Sequence, residues 1–478
     1  IICYFAGLLL IAHITGHKGG SNAAFFKGEN KSPWYIVSFG MIGATISGVT
    51  FVSVPGMVRG MDMTYMQTVF GFFFGYMIVA HILLPLYYRL NLTSIYGYLG
   101  TRIGVNAYRT GSFFFLLSRM LGTAAKLYLV CLILHTHVFQ EMHIPFWVIA
   151  VGSVTLVWIY THKSGIKTIV WTDTLQTFCL IAALLFIIYF TIQKLDTGFD
   201  GIVQTIRNSE HSRIFVFDDW ISRQNFFKQF FSGIFIVIVM TGLDQDMMQK
   251  NLSCRNLREA KKNMYCYGFS FIPLNFLFLC LGILLLALAG QMQLELPAMN
   301  DDILPMFATQ GYLGHSVLIL FTIGIIAAAF SNSDSALTAM TTSVCIDLLN
   351  TEKDTEEVAR RKRKRVHLLL SVLLAFFICL VEMLNNKSVI DAIYIIASYT
   401  YGPLLGMFAF GLFTRRRTKD RLVPLIAIAS PVLCYALDWW INKETGYKFG
   451  YELLMLNGSL TFAGLMLLSG KEKTAKTP

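Results

Sequence analysis

Residues 327–338 read Ala327-Ala328-Ala329-Phe330-Ser331-Asn332-Ser333-Asp334-Ser335-Ala336-Leu337-Thr338. This polar stretch lies in the middle of an apolar run over about 313–349, which is long enough to cross a membrane as a helix. A helical period places Ala328, Ser331, Asn332 and Ser335 on one face. Several oxygen atoms on one face suit a hard cation such as sodium, and Asp334 adds a full charge. Small residues packed against a neighbouring helix would explain the alanines and serines, but not a buried acid.

The composition is that of a membrane protein. Hydrophobic residues make up 55% of the 478 residues and charged residues only 14%, whereas soluble domains carry roughly 25% charged residues. The net charge of +11 does not indicate nucleic-acid binding, because the basic residues stand in short clusters between apolar runs. Membrane topology produces that pattern.

The apolar runs predict thirteen helices and an all-α integral membrane protein. They are placed at about 1–16, 34–59, 65–90, 107–136, 144–163, 167–194, 225–250, 264–291, 313–349, 366–385, 388–414, 421–441 and 451–470. A short surface helix is expected in the polar connection over 195–224. The chain begins with Ile1 inside an apolar run, so the natural N-terminus is expected to be missing.

Lysine and arginine concentrate in alternate loops. One set holds Lys18, Lys27, the segment from Lys250 to Lys262, the segment from Lys353 to Arg365, and the tail beyond Lys471. The positive-inside rule makes this set cytoplasmic. The protein is then expected in the inner (plasma) membrane, with its N-terminus outside and its C-terminus inside.

Two predicted helices carry residues that interrupt a helix. The first has Gly48 among hydroxyl residues and Pro55 seven residues later, and the second contains Thr241-Gly242-Leu243-Asp244-Gln245-Asp246. An interruption frees backbone carbonyl groups to bind a cation, although close packing through small residues is the alternative for the first. The second lies five helices after the first, which is the spacing of an inverted-repeat transporter.

Three segments together resemble the sodium:solute symporter family, which includes the sodium–glucose, sodium–proline and sialic acid symporters. They are Ser164 through Gln176 with its Trp171-Thr172-Asp173 run, Gly242 through Lys261, and Ser331 through Asp347. The resemblance implies the leucine-transporter fold with two inverted five-helix repeats. The domains would be a peripheral helix and loop at 1–33, repeats at 34–194 and 225–414, an external loop at 195–224, and two peripheral helices with a tail at 415–478.

The resemblance also implies sodium sites. The family's main site corresponds to the backbone carbonyl groups of Gly43, Ile46 and Ala328 and the side chain of Ser331. Asn332 stands where the family usually has a second hydroxyl residue, and its amide oxygen is a further expected ligand. A second cation site found in some members corresponds to Asp173, Asp334 and Ser335, where Asp334 is expected to bind sodium or a proton.

The substrate cavity of this family lies between the broken helices. The candidate lining residues here are Thr50, Gln67, Lys126, Asp244, Gln245 and Tyr399. Lys126 is a cation in the middle of a helix, so it is expected to pair with a substrate carboxylate, to pair with Asp173 or Asp334, or to extend to a surface. Met66 stands beside Gln67 where a sugar-binding acid would be expected, which argues against a glucose-type site.

The function expected from these features is sodium-coupled symport of a small polar solute, such as a sugar, sialic acid, amino acid or carboxylate, by alternating access. The partners are sodium ions, the solute and the lipid bilayer, without nucleic acid, and the protein is expected to act as a monomer. The alternatives are a proton-coupled symporter of the same fold, or a membrane solute sensor without transport. An enzyme is not expected, because no catalytic group of residues is recognisable.

Overall fold

The computed structural model describes residues 2–16, 25–26, 31–139, 142–162, 165–384, 389–447 and 449–470. Lys18, Lys27 and the tail from residue 471, which were used to assign the membrane orientation, lie outside the described residues. Within these ranges the protein is helical, apart from one pair of two-residue strands, β1 (Arg417–Thr418) and β2 (Ser469–Gly470), that run antiparallel.

Eighteen helices position the site and its surroundings. In the first half they are α1 (Ile2–Gly16), α2 (Trp34–Thr45), α3 (Gly48–Met61), α4 (Tyr65–Arg89), α5 (Gly97–Arg102), α6 (Val105–Ile133), α7 (Phe146–Thr161), α8 (Ile166–Leu195) and α9 (Phe199–Asn208). In the second half they are α10 (Phe226–Gly242), α11 (Gln245–Leu252), α12 (Leu257–Gln291), α13 (Ile303–Thr309), α14 (His315–Leu348), α15 (Glu356–Leu384), α16 (Val389–Phe413), α17 (Val423–Thr445) and α18 (Leu453–Leu467).

Several of these helices are candidate membrane spans. Eight of them are long and apolar enough to cross a bilayer, and the count among the described residues is ten when each bent pair is taken as one span. Three shorter apolar helices, α1, α7 and α18, lie where the remaining predicted spans were placed. The protein is therefore a multi-pass membrane protein, and the count of thirteen spans stays a prediction.

Both predicted interruptions are present. The axes of α2 and α3 differ by 59°, and those of α10 and α11 differ by 65°. The first break falls at Ile46 and Ser47, just before Gly48, whereas Pro55 lies inside the continuous helix α3. The predicted interruption is therefore present next to Gly48, and it does not involve Pro55. Its missing N–H group removes one backbone hydrogen bond, which the flanking turns of α3 tolerate.

Two helices begin earlier than predicted. Helix α12 starts at Leu257 because the side chain of Asn256 accepts a hydrogen bond from the backbone N–H of Glu259, an N-terminal cap that the apolar pattern alone does not reveal. Helix α15 starts at Glu356, so the basic cluster from Arg360 to Arg365 is helical rather than a loop. The surface helix expected in the external connection is α9, which buries none of its residues.

Glycines allow the central helices to approach closely. A Cβ atom on Gly43 of α2 would lie 2.0 Å from Thr177 Oγ1 of α8, and one on Gly71 of α4 would lie 2.1 Å from the Phe230 carbonyl of α10. These contacts leave no room for a side chain. These close contacts hold the broken helices against their neighbours. The candidate site lies between the broken helices and these neighbours.

Candidate functional site: a buried ion-pair network beside a small cavity

The break after α2 exposes backbone oxygen atoms. The Ser47 N–H donates to the Thr45 carbonyl at 2.9 Å, so the Gly43 carbonyl lacks the donor four residues on that a continuous helix would supply. Ile46 lies in the break itself and is fully buried. Carbonyl groups released in this way are suited to bind a monovalent cation.

The middle of α14 faces this break. The Asn332 Nδ2 group donates to the Ala44 carbonyl at 2.9 Å. Its other amide atom, Oδ1, is buried and has no hydrogen-bond partner among the described residues. A buried acceptor without a partner is costly, which suggests that a ligand satisfies it. Ser331 and Ala328 are buried on the same face of α14.

Asp173 of α8 lies next to these residues. Its Oδ1 accepts a hydrogen bond from Ser331 Oγ at 2.6 Å, and its Oδ2 lies 3.4 Å from Ser335 Oγ. The Ser331 hydroxyl hydrogen is thus directed at Asp173, so the lone pairs of Ser331 Oγ remain available for a cation. The residues predicted for the main sodium site and for the second cation site are therefore adjacent.

Asp334 directly precedes Ser335 in α14 and completes this cluster. Its carboxylate accepts hydrogen bonds from Tyr160 Oη at 2.9 Å and from the backbone N–H of Ser335 at 2.5 Å. Ser335 Oγ is 3.3 Å from this carboxylate, so it stands between the two acids. The structure thus brings Asp173, Asp334 and Ser335 together as predicted, although none of them lines the cavity described below.

Lys250 pairs with Asp173. Its Nζ lies 2.8 Å from Asp173 Oδ2 and 3.9 Å from Asp246 Oδ1, and its side chain is only 1% exposed. The prediction that Lys250 belongs to a basic cytoplasmic loop was wrong. The bend between α10 and α11 redirects the chain, so Lys250 extends into the core instead of continuing toward the membrane surface.

A cavity of about 90 Å³ lies beside both breaks. Thr50 and Lys126 are among its lining residues, as predicted from the sequence. Asn332 also lines it, so the cavity adjoins the oxygen atoms around the first break. Its remaining polar lining comes from Thr45, Ser47, Tyr65, Tyr76, Arg119 and Thr241.

Arg119 is a cavity residue that the sequence analysis missed. Its guanidinium forms an ion pair with Asp246 and lies 3.7 Å from Asp244 Oδ2, and the side chain is 6% exposed. A charged residue in the middle of the apolar α6 was the available signal. Lys126, seven residues later, has no hydrogen-bond or ion-pair partner among the described residues, so the predicted pairing with Asp173 or Asp334 does not occur.

Four predicted substrate residues lie outside the cavity lining. Asp244 caps α11, accepting from the backbone N–H of Asp246 at 2.9 Å, and it also accepts from Tyr401 Oη. Gln245 binds the Thr93 carbonyl and the Ile95 N–H, each at 2.9 Å.

The other two residues are placed by neighbouring segments. Gln67 binds the Gln224 carbonyl at 2.8 Å and the Val216 N–H at 3.1 Å, so it holds the connection between α9 and α10. Tyr399 packs on Tyr435 of α17, with ring centroids 6.4 Å apart. Polar side chains also cap helices and hold loops in place. Their positions in the sequence do not distinguish these roles from ligand binding.

Comparison with known proteins agrees with this architecture. A profile of the sodium:solute symporter family matches residues 25–421. The sodium/sialic acid symporter NanT of Aliivibrio fischeri is 25% identical over 96% of this chain and 92% of its own length.

Two solved structures share the fold. A sodium-coupled sialic acid symporter in a substrate-bound, outward-open state has a TM-score of 0.84 at 20% identity, with 98% of this chain and 96% of that chain covered. The nucleobase–cation symporter Mhp1 has a TM-score of 0.55 at 14% identity, with 93% and 94% covered.

The match spans most of the chain and both broken helices, and the fold is the leucine-transporter fold. Sodium is the coupled ion of this group of proteins. The chain belongs to the sodium:solute symporter family, and it is a sodium-coupled transporter of a small-molecule solute rather than an enzyme.

Proposed function

We propose that the solute is a small organic anion that carries a carboxylate group, and that Lys126 binds this group. The observation that carries the proposal is the difference between the two cations of the cavity. Arg119 is neutralised by Asp244 and Asp246, whereas Lys126 faces the cavity without a partner among the described residues. An unpaired charge inside a membrane protein is costly unless a ligand or water compensates for it.

The similarity to NanT supports the same chemistry, because a sialic acid is a sugar that carries a carboxylate. Thr45, Thr50 and Thr241 offer hydroxyl groups along the cavity, and Tyr65 and Tyr76 offer aromatic rings. A few placed polar groups among apolar and aromatic walls are typical of a site for a small molecule.

The main sodium ion is proposed to bind between the first break and α14. The Gly43, Ile46 and Ala328 carbonyl groups would supply backbone oxygen atoms, and Ser331 Oγ and Asn332 Oδ1 would supply side-chain oxygen atoms. Two observations support this ligand set: the Gly43 carbonyl has lost its helical donor, and Asn332 Oδ1 is buried without a partner in the described chain. Because Asn332 also lines the cavity, sodium binding would stabilise one wall of the solute site.

The arrangement in the membrane is also a proposal. The repeats would be residues 34–194 and 225–414, each of which begins with a bent helix pair. The external connection would be 195–224, and the peripheral parts 1–33 and 415–478. The basic clusters support an outside N-terminus and a cytoplasmic C-terminus in the plasma membrane bilayer. The site described above lies within one chain, which supports a functional monomer.

Uptake into proteoliposomes tests the proposed function. We expect an inward sodium gradient to drive uptake of N-acetylneuraminate or of a short monocarboxylate, whereas the methyl ester of the same acid should not be taken up. Potassium in place of sodium should abolish uptake. Equal uptake of acid and ester would contradict the anion proposal. Uptake that persists in potassium and follows a proton gradient would favour the proton-coupled alternative.

Ser331 offers a test of the main sodium site. Ser331→Ala removes one oxygen ligand, and we expect sodium affinity to fall at least tenfold, about 1.4 kcal/mol. Ser333→Ala is the matched control, because Ser333 is similarly buried in α14 but, among the described residues, its hydroxyl bonds only the Ala329 carbonyl of its own helix, at 2.8 Å. Sodium-dependent thermal stabilisation of the purified variants measures the change. Equal sodium affinity in the two variants would place the ion elsewhere.

A further inference from the structure

We infer that the ammonium group of Lys250 occupies the second cation position, next to Asp173, Ser331 and Ser335. It takes the place of a sodium ion that these three residues would otherwise bind, so the protein binds one sodium ion fewer. Lys250 would then determine the ion stoichiometry of transport. The expected total of one sodium ion rests on the proposed main site, whereas the role of Lys250 rests on its own geometry.

The contacts of Asp173 define this position. Its two carboxylate oxygens face Ser331 Oγ at 2.6 Å, Ser335 Oγ at 3.4 Å and Lys250 Nζ at 2.8 Å. A distance of 2.8 Å is typical of a charge-assisted contact between an ammonium and a carboxylate group. The ammonium therefore lies beside the acid and two hydroxyl groups that would otherwise be offered to a hard cation.

Electrostatics favour one cation at this position. Asp173 and Lys250 are each 1% exposed, and an unpaired buried carboxylate would be strongly destabilising. Lys250 neutralises Asp173, and Asp246 Oδ1 lies 3.9 Å from the ammonium. Asp334, across Ser335 from Asp173, is held by hydrogen bonds from Tyr160 Oη and the Ser335 N–H. A sodium ion added to Asp173 would bring a second positive charge next to the first, at a low effective dielectric.

Lys250 comes from the short helix that follows the second break. Helix α11 is short, and Asp244 caps its first turn by accepting from the N–H groups of Asp246 and Met247. Lys250 lies one turn after Asp246, so a change in the bend between α10 and α11 would move its ammonium. The alternative is a purely structural ion pair between α8 and α11. In that case, removal of the ammonium would not change the number of sodium ions bound.

Counting bound sodium separates these explanations. Equilibrium dialysis with radioactive sodium, on purified protein without solute, should give one ion for the wild type and two for Lys250→Ala, because the vacated position exposes the Asp173 carboxylate. Lys250→Arg keeps the charge and should give one. Lys250→Ala combined with Asp173→Asn should also give one, since the carboxylate is gone.

The difference between Lys250→Ala and the wild type is the decisive quantity. An equal count in the two proteins would overturn the inference, and so would two ions in the wild type. No ion in the wild type but one in Lys250→Ala would support the inference while contradicting the proposed main site. If Lys250→Ala folds in sodium but not in potassium, sodium has replaced the ammonium, which supports the inference. Failure to fold in either salt would overturn it.

Discussion

Replacing Arg119 with methionine is expected to lower the free energy of unfolding by about 3 kcal/mol, the lower end of the range for breaking a buried ion pair. The side chain is 6% exposed and faces both Asp244 and Asp246, so its loss leaves two buried acids short of positive charge. Tyr401 still donates to Asp244, and Lys250 remains 3.9 Å from Asp246. These remaining contacts keep the expected loss at the lower end.

Unfolding in detergent by a denaturant, at a fixed sodium concentration, measures this loss. Arg109→Met is a suitable control, because Arg109 is an exposed arginine near the start of the same helix, α6. Adding Asp246→Asn to Arg119→Met should recover part of the stability, since it removes one of the uncompensated charges. A loss no larger than that of Arg109→Met would show that the buried acids do not depend on Arg119.

The ion-pair network explains why these helices meet where they do. Positive and negative groups alternate from Asp244 through Arg119, Asp246 and Lys250 to Asp173. They connect α6, α8 and the segment around α11, and Ser331 and Ser335 connect Asp173 to α14. The network therefore connects the second break to the face of α14 that carries the proposed sodium ligands.

Periodicity was sufficient to find the face of α14 and both broken helices, because a helix repeats every 3.6 residues and an interruption requires glycine or polar residues nearby. It could not show that Asn332 reaches the Ala44 carbonyl, since the two residues are 288 positions apart. Such contacts depend on the packing of whole helices. The family resemblance supplied the pairing of α2 with α14, and the adjacent positions of their oxygen atoms are consistent with it.

Lys250 and Gln245 show where sequence reasoning was insufficient. A lysine at the end of an apolar run usually marks the membrane surface, but a bend of 65° directs this one to a buried acid. Gln245 lies at the same bend and looked like a ligand, yet both ends of its amide bind the backbone around Thr93 and Ile95. In each case the direction of the chain after the break decides the role of the side chain.

The two proposals have a joint consequence for charge. A monocarboxylate and one sodium ion together carry no net charge, so their movement would be little affected by the membrane potential. A second sodium ion would add one positive charge, worth about 2.3 kcal/mol per 100 mV. If Lys250 replaces the second sodium ion, the sodium gradient alone, without the membrane potential, would drive accumulation of the anion.

Lys126→Met is expected to weaken binding of the acidic solute about 30-fold or more, which corresponds to about 2 kcal/mol, the low end for removing one partner of a buried charge pair. Lys126 lines the cavity and has no partner among the described residues, so no acid within them is left unpaired by the change. Folding stability should therefore be maintained, unlike in Arg119→Met, where two acids lose their counter-charge.

Thermal stabilisation of the purified protein in saturating sodium measures this loss, because a ligand at a given concentration raises apparent stability more when it binds the folded state more tightly. N-acetylneuraminate and its methyl ester form the matched ligand pair, and Lys126→Arg is the variant that retains the charge. The acid should bind the wild type and Lys126→Arg more tightly than Lys126→Met, whereas the weak binding of the ester should be the same in all three. If Lys126→Met binds the acid as tightly as the wild type, Lys126 does not bind the carboxylate. If acid and ester weaken equally, the lysine contributes shape rather than charge. The carboxylate would then have to bind elsewhere in the cavity, where Arg119 is the other cation.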